Sequence, residues 1–169
     1  MGPLAGCLIG RCSCSEILIK EAVLPDVSHV AAMHPTLSGE ASRMMVDAAV
    51  AEASSMSVPV TVVVVDQSGV TKEMLRMDGA PLVSVQTAIN KAYAAAAIGM
   101  PPDDFYAAIE SDGAAVAEFG TRPGLALIAG GLPVIADGRV AGAIGIAGAM
   151  TGAEDRRIAE AAVSKVTPA

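Results

Sequence analysis

The chain has few aromatic residues, few charges and no long apolar run. Only 2% of its 169 residues are aromatic, 17% are charged, and tryptophan is absent. No uninterrupted apolar stretch approaches the roughly 18 residues that a membrane-spanning helix needs, so we expect no membrane partner. Hydrophobic residues nevertheless make up 53% of the chain. Small apolar side chains with so few charges leave apolar surface, which predicts burial between subunits of a homo-oligomer.

Positive charge and cysteine are also scarce. Eleven lysines and arginines face eighteen acidic residues, for a net charge of −7. Because no basic cluster is present, the sequence indicates no nucleic-acid partner. The three cysteines all lie within the first fourteen residues. The rest of the chain therefore has no disulfide, which favours a reducing, cytoplasmic location.

The first 38 residues show no sustained hydrophobic period. We predict that 1–38 is a poorly ordered N-terminal extension and that 39–169 is a single domain. Both histidines, His29 and His34, lie in the extension.

Two predicted hairpins set the fold class. Asp137 and Gly138 separate two apolar runs, 132–136 and 139–146, and this dipeptide favours a type I′ turn with two positive φ angles. Valines from residue 60 to 65, a turn and a more polar run over 70–77 predict the other hairpin. Glycines recur in the last strand at Gly142, Gly145 and Gly148, where a helix, another subunit or a ligand must approach closely.

Helical periodicity surrounds these hairpins. Apolar stripes predict helices from residue 38 or 42 to about 56, from 81 to 98, over 101–111 and over 154–163. The segment 112–123 is predicted to be irregular or partly helical, and 125–128 is predicted to be a strand. The pattern indicates an α+β domain: a five-stranded, mainly antiparallel sheet with helices packed on it.

Several motifs together resemble the GlcG/HbpS family, which also supplies the C-terminal domain of PduO-type proteins. The matching residues cover about 40–164 and occur in the family's order: Val62 to Gly69, Arg76 to Ala80, Asn90 to Ala92, Gly130 to Val134, Gly142 to Gly148, and Glu154 with Asp155. The resemblance implies a profilin-like sheet and a symmetric oligomer, often an octamer. It also implies haem binding, with haem breakdown in one branch, while other members lie beside genes for glycolate, propanediol or glycerol metabolism.

Haem iron needs an axial donor such as histidine, cysteine, methionine or tyrosine. His34 is our predicted axial ligand, and a solvent-exposed histidine is the alternative interpretation. The aromatic residues Tyr93, Phe105, Tyr106 and Phe119 lie in one region of the chain. They can wall a flat ligand, or they can fill the gap where short helices cross. Tyr106 is also a conceivable phenolate ligand.

Polar candidates lie near the glycines. Arg76 and Lys91, beside a backbone lined by Gly130 and Gly131, can hold a carboxylate such as a haem propionate, with Asp78 close by. The alternative is a structural ion pair of Asp78 with Arg76 or Lys91.

Two functions from different classes follow from these residues. The first is an oligomeric binding protein for haem or a related tetrapyrrole, with haem as cofactor and haem degradation as an extension. The second is an enzyme or accessory protein that acts on a small organic acid or aldehyde, with Lys91 or Glu118 in proton transfer. Glu154 and Asp155 are interpreted as helix-end or solvated charges.

Overall fold

A four-stranded antiparallel sheet between helices organises residues 32–167, the part of the chain that the computed structural model describes. All elements belong to the compact unit that begins at His34. Their order is α1 (Gly39–Ser55), β1 (Thr61–Asp66), β2 (Thr71–Arg76), α2 (Val83–Ile98), α3 (Pro102–Ile109), α4 (Gly113–Thr121), β3 (Gly131–Ala136), β4 (Arg139–Ala147) and α5 (Gly152–Val163). The predicted α+β class is confirmed.

Local signals explain both hairpins. Asp137 and Gly138 have φ angles of 51° and 72°, as a type I′ turn between β3 and β4 requires. In the β1–β2 turn, the Asp66 carboxylate accepts hydrogen bonds from the backbone N–H groups of Ser68 and Val70. Strands β1 and β4 then pair antiparallel in the middle of the sheet, in the order β2-β1-β4-β3.

Both faces of β1 are covered, as its unbroken run of valines predicts. Val62 and Val64 join the core cluster that includes residues of α1 and α5. Val63 and Val65 join the cluster formed with α2. These alternating contacts make three layers, with the sheet between α2 on one face and α1 with α5 on the other.

The glycines of β4 allow a helix to approach the sheet. A Cβ atom added at Gly145 would lie 2.2 Å from the carbonyl oxygen of Ala88 in α2. Of the three approaches that the sequence left open, a helix is the one seen at Gly145. This contact fixes α2 against β4, and with it the position of Lys91 one turn further along.

The described residues form four strands, not five, because the predicted strand over 125–128 is a loop. That apolar run is only four residues long and is enclosed by Pro123, Gly124 and Gly130, which favour turns. The preceding segment, 112–123, is mostly helical. Helix α4 begins after Asp112, whose carboxylate accepts hydrogen bonds from two backbone N–H groups of its first turn. The sequence predicted this segment to be irregular or partly helical, and α4 covers most of it.

The N-terminal prediction falls mostly on residues 1–31, which lie outside the described residues. Within the described range, the Leu37 side chain is buried and its N–H donates to the carbonyl oxygen of Ala141 in β4. None of the helices in residues 32–167 is both long and apolar enough to cross a membrane.

Candidate functional site

A cavity of about 500 Å³ opens beside the N-terminal end of α5. Buried residues form its base, and the exposed side chains of Val83, Ile128 and Met150 form its rim. Its volume lies within the range of small-molecule pockets, and most of its lining is apolar. The buried polar side chains at the base are those of Ser84, Lys91 and Asp155.

Two glycines make close contact with Lys91, which lies at the base of this cavity. A Cβ atom at Gly131 would lie 2.6 Å from the Lys91 carbonyl oxygen, so β3 passes directly against α2. A Cβ atom at Gly130, where φ is +108°, would lie 3.0 Å from Lys91 Nζ and 2.7 Å from Asp155 Cβ. The two glycines that we predicted near the ligand therefore make room for a lysine and its partner.

Lys91 and Asp155 form an ion pair, called here the buried pair, with 2.6 Å between Nζ and Oδ2. Their side chains are only 2% and 6% exposed. Lys91 Nζ also donates to the carbonyl oxygen of Ile146 at 2.9 Å, and Asp155 Oδ1 accepts from the Ala149 N–H at 3.2 Å. Burial raises the pKa of the Asp155 carboxyl, while the hydrogen bond from Lys91 opposes that shift.

The buried hydroxyl groups near the base already have acceptors. Ser84 donates to the carbonyl oxygen of Pro81 at 2.6 Å, and Ser84 Oγ lies 2.7 Å from Thr61 Oγ1. Because a serine hydroxyl has one proton, Thr61 is the donor between the two hydroxyls. Thr87 donates to the carbonyl oxygen of Val83. The hydroxyl protons are thus already used. Among the lining residues in the described chain, the ammonium and the carboxylate of the buried pair are the only charged groups.

The structure does not bring Arg76 and Asp78 to this cavity. Arg76 is exposed, and its guanidinium donates to the carbonyl oxygen of Ala80, with 3.1 Å from Nε. Asp78 is exposed and makes no ion pair with either cation among the described residues. The alternative of a structural ion pair between Asp78 and Arg76 or Lys91 is therefore wrong, because Lys91 pairs with Asp155 in α5 instead.

The aromatic residues also lie away from the cavity. The rings of Phe105 and Phe119 meet edge to face with 5.2 Å between centroids, and the Arg122 guanidinium lies over Phe119. This contact joins α3 to α4, in agreement with the gap-filling interpretation. Tyr93 lies against Gly69 and Gly124 and is 40% exposed, while Tyr106 is 41% exposed. None of the four rings lines the cavity beside α5.

The remaining candidates are exposed. Glu118 accepts from Arg122 one turn along α4, with side-chain exposures of 64% and 51% for the two residues. His34 is exposed and does not line the cavity. Within the described residues no group of three or more histidine, cysteine or acidic side chains could hold a metal ion.

Asp155 is the site residue that sequence reasoning missed. It follows the capping box formed by Thr151 and Glu154, and this context predicts an exposed acid in the first turn of a helix. Its partner lies 64 positions earlier in the chain. Only the Glu154-Asp155 motif within the family resemblance could have drawn attention to it.

Comparison with known proteins places this geometry in a family. HbpS from Streptomyces reticuli, solved as a double mutant, is 32% identical, with a TM-score of 0.75 over 82% of this chain and 92% of that one. The PduOC–haem complex is 28% identical, with a TM-score of 0.70 over 76% of this chain and 94% of that one.

An uncharacterized 15.0 kDa protein of Citrobacter freundii, from the dhaT-dhaS intergenic region, is 34% identical over 76% of this chain and 90% of its own length. The sequence model for the haem-degrading protein HbpS-like family matches residues 37–164. The match spans every helix and strand described above, and it confirms the resemblance seen in the motifs. The chain belongs to the HbpS-like family.

Proposed function

We propose that this protein binds haem or a related tetrapyrrole as a homo-oligomer. The observation that carries the proposal is the likeness to the PduOC–haem complex across 94% of that chain. Membership of a family named for haem degradation supports it. An apolar cavity of about 500 Å³ is the kind of surface that a flat, mostly apolar macrocycle needs.

The rim of the cavity fits such a group better than its base. Val83 and Ile128 offer apolar contacts, and Met150, 94% exposed, carries a thioether of the kind that serves as an axial ligand in cytochromes c. At the base, Asp155 already neutralises the Lys91 ammonium, so no free cation awaits a propionate. Met150 is therefore the residue at the rim that would hold the iron of such a group. Haem, when bound, would supply the redox-active iron.

Titration with haemin tests the proposal. We expect a Soret band that saturates with protein, and we expect Met150→Ala to shift the band and weaken binding. Met100→Ala is the matched control, because Met100 is 40% exposed but does not line the cavity. His34→Ala tests the ligand that the sequence predicted. A wild-type protein that leaves the Soret band of free haemin unshifted would overturn haem binding.

The same samples test the finer predictions. Loss of the Soret band with an added reductant would reveal degradation, and native mass spectrometry would count the copies, for which the family resemblance predicts eight. The profilin-like classification and the cytoplasmic location stay predictions.

A second function is favoured by one observation. The buried pair lies at the base of the cavity, where Lys91 could take part in proton transfer on a small organic acid or aldehyde. Glu118, the other proposed residue, lies on exposed α4 instead. A turnover screen should therefore find loss with Lys91→Ala and none with Glu118→Ala. Equal activity of both variants and the wild type would remove this function.

A further inference from the structure

One donor of Lys91 has no acceptor in the described part of the chain. An ammonium group carries three N–H donors. Two of them reach the Ile146 carbonyl oxygen and Asp155 Oδ2, and residues 32–167 provide no acceptor for the third. The side chain is only 2% exposed and lines the cavity, so an acceptor for the third donor has to come from a water or another small molecule held at the base of that cavity.

The charge balance at this point disfavours an anionic ligand. Asp155 lies 2.6 Å from Lys91 and cancels its charge. An incoming carboxylate would therefore meet a neutral pair and would place its own charge beside the Asp155 carboxylate, in a site where water screens little. A neutral ligand avoids both penalties.

The pair also presents a donor and an acceptor side by side. Lys91 offers its third N–H, and the Asp155 oxygens keep lone pairs beyond those used by Lys91 and the Ala149 N–H. A primary amide or a hydroxyl-bearing carbonyl compound can accept from the first and donate to the second. Its apolar portion would then contact the rim at Val83 and Ile128.

We infer that the base of this cavity binds a small uncharged molecule that carries an oxygen acceptor and an adjacent donor, held by Lys91 and Asp155. This site narrows the ligand class of the second proposed function, because it excludes the acids and keeps neutral carbonyl compounds that have a donor beside the oxygen. The inference shares its site with the second proposed function. It does not require turnover, so the ligand can bind even if that function is wrong. Haem binding is measured with a different probe and can succeed or fail separately.

Isobutyramide and isobutyrate provide a direct test because they have the same shape and differ in charge. Each is titrated at neutral pH into protein labelled with ¹³C in the methyl groups of methionine and isoleucine. We expect isobutyramide to shift the Met150 and Ile128 signals saturably and to bind at least about tenfold more tightly than isobutyrate. The Met100 methyl, outside the cavity, should not move.

The variant Asp155→Asn sharpens the result. It keeps an oxygen acceptor for Lys91 and removes the negative charge, so the ammonium is no longer neutralised. We expect the preference to reverse in favour of isobutyrate. If the variant does not fold, the wild-type ratio decides alone. Wild-type protein that binds isobutyrate as tightly as isobutyramide, or that shows no shift at Met150 and Ile128 with either, would overturn the inference.

Discussion

Two neighbouring residues of α5 make ion pairs of equal length in very different surroundings. Asp155 meets Lys91 at 2.6 Å with side chains 6% and 2% exposed, and Arg156 meets Asp103 at 2.6 Å with side chains 31% and 27% exposed. Distance alone therefore says nothing about what each pair contributes. Burial decides, because an ion removed from water depends on its partner far more than one that water still reaches.

The two pairs also serve different parts of the fold. Arg156 contacts Asp103 and Asp104 in the first turn of α3 and Glu160 on its own helix, a set called here the exposed cluster. This cluster ties α3 to α5 at the surface, although Asp103 Oδ1 is buried without a partner. The buried pair instead connects α5 to α2 beside the end of β4, where Lys91 donates to the Ile146 carbonyl oxygen. Loss of the buried pair should therefore disturb the core and the cavity together.

Removal of Asp155 should have the largest effect. Asp155→Ala leaves the Lys91 ammonium buried with one carbonyl acceptor, and we expect a loss of about 3–5 kcal/mol in the free energy of unfolding at neutral pH. Asp155→Asn, which retains an acceptor oxygen, should lose much less. Urea denaturation of both variants provides the measurement.

The matched substitution in the exposed cluster is Asp103→Ala. We expect a loss of about 0.5–1 kcal/mol at low salt and less at high salt, since the pair is partly solvated and one Asp103 oxygen is already unsatisfied. Equal losses for Asp103→Ala and Asp155→Ala would contradict the role given to burial.

Steric pressure on the buried pair should have the next largest effect. Gly130→Ala places a methyl group 2.7 Å from Asp155 Cβ at a positive φ of +108°. Gly138→Ala is the control, because Gly138 also has a positive φ, of +72°, but a methyl group there meets nothing within 4 Å. We expect Gly130→Ala to destabilise the fold by about 1–3 kcal/mol more than the control, because it adds overpacking to the shared backbone strain. Equal melting temperatures of the two variants would refute a tight fit around the pair.

The sequence predicted what local chemistry determines. The turn at Asp137 and Gly138 needs two positive φ angles that this dipeptide supplies, and the valines of β1 need cover on both faces wherever the strand lies. The Gly99 end of α2 follows for the same reason, since its φ of +79° favours glycine. These features depend on residues that are adjacent in sequence.

The site was only half predictable because its parts are distant in sequence. Lys91 was identified as a site residue, but its partner was sought at Asp78, which is nearer in the chain and remains exposed. Asp155 reaches Lys91 only once β4 has paired with β1 and α5 has packed against the sheet. The sequence correctly placed Phe105 and Phe119 in one region, because the short helices that carry them are consecutive in the chain. Their closeness in sequence does not indicate whether they line a cavity.

The smallest effect that separates the buried pair from the exposed cluster is the pH dependence of stability. Burial raises the pKa of Asp155, so the folded state binds more protons there than the unfolded state, and this carboxyl's contribution to stability decreases as pH rises through its raised folded value. The hydrogen bond from Arg156 lowers the pKa of Asp104. The contribution of that carboxyl to stability is therefore present above the unfolded pKa near 3.8 and is lost as pH falls through the lowered folded pKa.

Between about pH 3 and 6, the free energy of unfolding of the wild type relative to Asp155→Asn should therefore fall with pH. Relative to Asp104→Asn it should rise and then level off. Slopes of the same sign in both comparisons would show that the carboxyls of Asp155 in the buried pair and Asp104 in the exposed cluster do not differ in the way their surroundings imply.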